Sequence, residues 1–125
     1  MNHPIRSLIL LLMFSCTLAW VQPALAARLA SIEGQADAEE KQDEAEFKLS
    51  EEINIDVIYN VIKRADDCSV TIRVFREHNG RWHVVNTVLS TSTSSRGSSR
   101  LTLPAGSYKI EIVANHARYT VSVDN

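Results

Sequence analysis

Beyond residue 26 the reactive side chains are few: three histidines, His78, His83 and His116, and one cysteine, Cys68. A zinc site needs three or four His, Cys or carboxylate ligands at short, set spacings, and neither HExxH nor CxxC occurs. His78 and His83, with Glu77 beside them, make a loose pair that lacks a third ligand. Asp56 and the pair Asp66-Asp67 have no EF-hand-like loop around them and read as structural residues. No metal and no cofactor is expected. There is no GxSxG elbow to present a serine nucleophile. Cys68 follows two acids, the wrong sign of charge to favour a thiolate nucleophile. It reads either as a small buried residue entering a strand or as one half of an intermolecular disulfide joining two copies. Gly34, Gly80, Gly97 and Gly106 are isolated, not a phosphate-cradling loop. The chain therefore reads as a non-enzyme.

What remains is binding. Phe75, Trp82 and Val84 fall on one face of a predicted strand pair, with Arg73, Arg76 and Arg81 around them. Aromatics beside arginine are what interface hot spots use, and an exposed tryptophan also suits a sugar ring. The competing reading packs this face in the core or under the N-terminal arm. The second candidate is Ser90–Ser99, STSTSSRGSS, which reads as a long polar loop. As a mobile loop it would serve as a binding element, or be inserted by an inhibitor or accessory subunit into an exported enzyme.

These residues must be positioned by a small domain. Residues 1–26 read as a secretory signal peptide. A run without charge, Ser7 to Val21, follows Arg6; Pro23 ends it, and Ala24-Leu25-Ala26 supplies small residues for cleavage after Ala26. The run is short for a membrane span of about 20 residues, so no span is expected after cleavage. Cys16, preceded by Met13-Phe14-Ser15, fits a lipobox poorly. The protein is thus expected in the periplasm or outside the cell. Residues 27–46 are polar: from Glu33 to Glu52 nine acids face only Lys41 and Lys48. With little apolar periodicity after Ile32, this stretch reads as an acidic tether, partly helical or disordered. From Ile53 onward six acids face nine bases; the balance lacks a basic patch with interleaved aromatics, so nucleic acid is not an expected partner.

Residues 47–125 read as the folded domain, all-β, with seven antiparallel strands in a sandwich. Phe47-Lys48-Leu49 is a short alternating strand. Ile53 to Ile62 places Ile53, Ile55, Val57, Tyr59 and Val61 on one face. Ser69–Glu77 and Trp82–Leu89 flank Asn79-Gly80, the strongest short hairpin signal. A two-residue loop pairs Phe75 with Val84, Glu77 with Trp82 and Arg73 with Asn86. Val70, Ile72, Val74, Val85 and Leu89 then face the core, and Val88 faces out with the aromatics. Arg100–Leu103 is a short strand. Tyr108 to Val123 reads as a hairpin turning at Asn115-His116, which sets Ile112 opposite Tyr119 and Ile110 opposite Val121 and leaves one apolar face for a second sheet to cover.

The run Leu101 to Ala114, LTLPAGSYKIEIVA, resembles the tyrosine corner of immunoglobulin-like and fibronectin type III domains. With the Tyr119–Val123 ending it also resembles bacterial pre-peptidase C-terminal domains, small exported sandwiches, over residues 101–123. The resemblance implies a non-catalytic extracytoplasmic module; the Phe75/Trp82 face or the Ser90–Ser99 loop would be where it contacts a protein or a glycan. It also implies a structural corner of Pro104, Gly106 and Tyr108, with the Tyr108 hydroxyl bonded to backbone a few residues upstream.

Overall fold

The computed structural model describes residues 27–125, so the expected signal peptide and Cys16 lie outside the described residues. The described residues form eight strands: β1 (Arg28–Ala36), β2 (Lys41–Leu49), β3 (Ile53–Lys63), β4 (Ser69–His78), β5 (Arg81–Thr91), β6 (Ser95–Leu103), β7 (Gly106–Asn115) and β8 (Ala117–Asp124). They form two four-stranded antiparallel sheets, ordered β1-β8-β3-β6 and β2-β7-β4-β5. The all-β sandwich expected from alternation is there, with eight strands rather than seven. Among the described residues no helix is long and apolar enough to cross a membrane.

Three expectations are corrected. First, the acidic stretch 27–46 is not a tether: β1 and the first half of β2 form an edge of each sheet. Ala30, Ile32 and Ala36 are buried, while Glu33, Glu44 and Glu46 point to solvent. Second, Ser90–Ser99 is not a long loop. β5 runs to Thr91 and β6 begins at Ser95, so the free link is 92–94. β6 pairs with β3 in unbroken register from Ser95↔Val61 to Leu103↔Ile53. That leaves no ten-residue loop for an inhibitor to insert.

Third, β7 and β8 are not a hairpin. The chain turns at His116, whose φ is 48°, and passes from one sheet to the other. Two backbone bonds hold this corner: His116 N–H donates to the Asp37 carbonyl at 2.9 Å, and Arg64 N–H donates to the His116 carbonyl at 2.8 Å. β8 lies between β1 and β3, and β7 between β2 and β4. The apolar face is nevertheless as expected: Tyr108, Ile110, Ile112 and Ala114 of β7, and Ala117, Tyr119, Val121 and Val123 of β8, are all buried. They meet across the sandwich with Ile55, Val57, Val70, Ile72 and Val74.

Among the described strands only β4 and β5 are chain neighbours within one sheet. Asn79 and Gly80 both have positive φ, 53° and 76°, as a type I′ turn demands. Phe75 pairs with Val84 and Glu77 with Trp82 as expected. Further from the turn the register slips at two β-bulges, so Arg73 pairs with Thr87 rather than Asn86. Val85 and Val88 are the extra residues. The bulges turn Val85 outward, to 42% exposure, and bring Val88 against the core, the reverse of simple alternation.

Candidate binding face

The outer face of the second sheet is built by strict alternation on its two inner strands. β7 sends Lys109, Glu111 and Val113 outward, and β4 sends Thr71, Arg73 and Phe75 outward beside them. Register places Arg73 opposite Glu111 and Phe75 opposite Lys109, and β5 adds Val84 next to Phe75. Phe75, Trp82, Val84 and Arg73 therefore lie on one solvent-facing surface, outside the inter-sheet core. Phe75 and Trp82 are half-buried and Val84 is exposed. Arg81 stands apart, exposed at the hairpin turn opposite His78.

Lys109 is what joins the group. Its ammonium lies 4.9 Å from the Trp82 ring centre and 5.3 Å from that of Phe75, and it pairs with Glu44 at 3.0 Å. The Arg73 guanidinium lies 5.3 Å from the Phe75 ring centre. The attraction between a cation and the ring quadrupole orders these flexible side chains on the surface. Glu111 is buried, and its two carboxylate oxygens accept from Arg73 at 2.9 Å and Gln42 at 2.9 Å. Lys109 and Glu111 are absent from the sequence-derived set. Their only signal is a place on the polar face of a strand, and their partners sit on strands far away in sequence.

The corner residues lie at one end of the sandwich. The Tyr108 hydroxyl donates to the Pro104 carbonyl at 2.6 Å, and the ring stacks on Phe47 with centres 5.5 Å apart. Burial pushes the Tyr108 hydroxyl pKa up, against a smaller downward pull from Arg76. Arg76 donates to the Ala105 carbonyl at 3.0 Å, and a Cβ at Gly106 would sit 3.1 Å from the Arg76 Nε. Gly106 thus makes room for the arginine that closes the corner. Tyr119 spans the sheets by donating to Asp43 of β2. Burial first, then that hydrogen bond, raises the Tyr119 pKa well above the usual phenol range.

The remaining candidates are scattered. His78 and His83 have ring centres 6.4 Å apart at the β4–β5 turn. His116, near the other end of β4, pairs with Asp67 at 3.2 Å. Asp56 is held by Arg100 at 3.0 Å, which lowers its carboxyl pKa through that hydrogen bond. Among the described residues no three ligating side chains come together. Cys68 is buried at 3% exposure, which takes its sulfur out of reach of a second copy and corrects the disulfide alternative.

No family model matches the sequence, and no curated protein matches it. Solved structures do. The pre-peptidase C-terminal domain of a collagenase from Bacillus anthracis superposes with a TM-score of 0.53 at 14% identity, over 76% of this chain and 88% of that domain. The chain has the fold of a pre-peptidase C-terminal domain. A protein from Sulfurospirillum deleyianum gives a TM-score of 0.48 at 10% identity, covering 81% of this chain and 97% of that one. A carbohydrate-binding module of Cellvibrio mixtus lichenase 5A, in complex with cellotriose, gives 0.39 at 13% identity, covering 78% and 96%. By the superposition on the collagenase domain, the resemblance to pre-peptidase C-terminal domains read from residues 101–123 extends to the fold of the sandwich.

Proposed function

We propose that this protein is an exported, non-catalytic binding module that holds a protein partner on the outer face of its second sheet. The observation that carries this reading is the half-buried aromatic pair Phe75 and Trp82 on the outer face, beside exposed Val84 and set among the cations of Arg73 and Lys109. Ordered aromatics and cations on a rigid sheet are the ingredients of an interface hot spot, because little side-chain entropy remains to be lost on binding. Lys109 lies over both rings, the surfaces on which a sugar would stack, and this favours protein over glycan here. Export rests on the uncharged run Ser7–Val21 and the Ala24-Leu25-Ala26 cleavage signal. The test is capture from detergent-solubilised envelope and culture fluid, with Trp82→Ala and Phe75→Ala run beside the native protein. A partner held by the native protein and lost by both variants, with circular dichroism unchanged, supports the reading. A partner held equally by all three refutes the face. Mass spectrometry of exported protein should find Ala27 at its N-terminus.

A further inference from the structure

The first sheet has an outer face of different chemistry. Its four strands line a shallow groove of about 540 Å³. Two cross-strand rows line it. One runs Ser31, Ser122, Ile58, Ser98 and the other Glu33, Thr120, Asn60, Arg96, each stepping through β1, β8, β3 and β6. Further along β3 and β6 the facing side chains are used up within the protein: Asp56 by Arg100, and Asn54 by Thr102. In the groove, the hydroxyls of Ser31, Ser98, Thr120 and Ser122 and the amide of Asn60 have no side-chain partner among the described residues. The lining carries two cations, Arg28 and Arg96, and one anion, Glu33; Arg28 is neutralised from outside the lining by Asp124 at 3.2 Å, so little charge is left uncompensated.

We propose that this groove binds an uncharged oligosaccharide lying across the strands. A chain laid between the two rows meets a polar side chain from each side at β1, β8 and β6, and Asn60 opposite the apolar Ile58 at β3, the strands being about 4.8 Å apart. Hydroxyl and amide side chains both donate and accept, as sugar hydroxyls do, so either partner can reverse its bond direction without leaving a group unsatisfied. With Arg28 held by Asp124 and Arg96 offset by Glu33, the groove complements a neutral ligand and offers a polyanion little compensation for desolvation. A peptide fits less well, because Ile58, 42% exposed, is the one large exposed apolar side chain among the lining residues, and recognition of an extended peptide draws on apolar contacts for alternate side chains.

The test is an NMR titration of labelled protein, exported from cells expressing the full chain. The probes are neutral hexasaccharides of β-1,4-glucan, β-1,3-glucan, xylan, chitin and α-1,4-glucan, taken to about 10 mM, in the range of weak complexes. The expected result is that at least one of them shifts the amides of 31–33, 58–60, 96–98 and 120–122, and that Asn60→Ala and Thr120→Val each weaken it about tenfold, one hydrogen bond's worth. Trp82→Ala should leave this binding unchanged, which separates it from the protein-binding face. Shifts by none of the saccharides overturn the proposal. So do shifts at these amides caused only by polygalacturonate, by a Ser/Thr/Ala peptide, or by raising the protein concentration.

Discussion

Replacing Gly34 with alanine puts a methyl group into space already filled. A Cβ there would lie 2.6 Å from the Tyr119 hydroxyl oxygen, 2.8 Å from its Cζ and 2.9 Å from an Asp43 carboxylate oxygen. None of these can retreat freely. The Tyr119 ring is fully buried between the sheets, and its hydroxyl is bonded to Asp43. Relief requires β1 to move off β8 or the Tyr119–Asp43 bond to break. Overpacking costs about 1–3 kcal/mol, and a lost hydrogen bond to a carboxylate costs about 1.5–3 kcal/mol. We expect Gly34→Ala to lower stability by about 3 kcal/mol, a large part of what a domain of this size has. Urea unfolding followed by circular dichroism measures it. In a Tyr119→Phe background the 2.6 Å contact and the hydrogen bond are already gone, so the same substitution should cost about 1 kcal/mol less. An unchanged urea midpoint for Gly34→Ala, or an identical cost in both backgrounds, would refute the reasoning.

Three further outcomes are expected. Tyr108 and Tyr119 are both held above their ordinary pKa of 10.0 in the fold, so above pH 10 the unfolded chain gives up protons that the folded chain keeps. Stability is therefore full below pH 10 and falls as pH rises further, by up to about 1.4 kcal/mol per pH unit for each tyrosine; urea midpoints that stay level from about pH 9 to 11.5 would contradict this. Arg73→Met leaves the buried Glu111 carboxylate with Gln42 alone and should cost about 1–2 kcal/mol, discounted because Arg73 is partly exposed, whereas Arg73→Met with Glu111→Leu should recover most of it in thermal melts. Cys68 should resist thiol reagents until the protein unfolds, and oxidised samples should run as monomers on non-reducing gels; prompt labelling in native buffer would show that its burial is wrong.

Alternation made the inner strands legible, because β3, β4, β7 and β8 put large branched or aromatic residues on every second position. Partnership was less legible. A hairpin and an arch between sheets sort side chains identically about the turn, so the pattern around Asn115-His116 fits both. The edge strands were obscured for a different reason. Inward positions of β1 include Ala30, Gly34 and Ala36, and those of β6 include Ser95, Gly97 and Ser99, too small to register as a hydrophobic face. Their cover comes from neighbours. Tyr119 lies over Gly34, and Tyr59 over Gly97, where an added Cβ would be 3.0 Å from the Tyr59 hydroxyl oxygen. Of the aromatic face, Phe75, Trp82 and Val84 followed from one local turn, while Lys109 and Glu111 needed the β4–β7 register, which no local signal encodes.

The alternation of successive strands between sheets also governs when this chain can fold. β7 and β8 are interior strands, one in each sheet, and every other strand except β5 and β6 pairs with one of them. The first six strands on their own retain only the β4–β5 hairpin and the β3–β6 pair. Folding is therefore dominated by contacts between residues far apart in sequence, the regime of slow folders. A chain emerging N-terminus first has no sandwich to form until β8 has been delivered. That delay makes the arrival of β7 and β8, Gly106 to Asp124, the step that commits the whole domain.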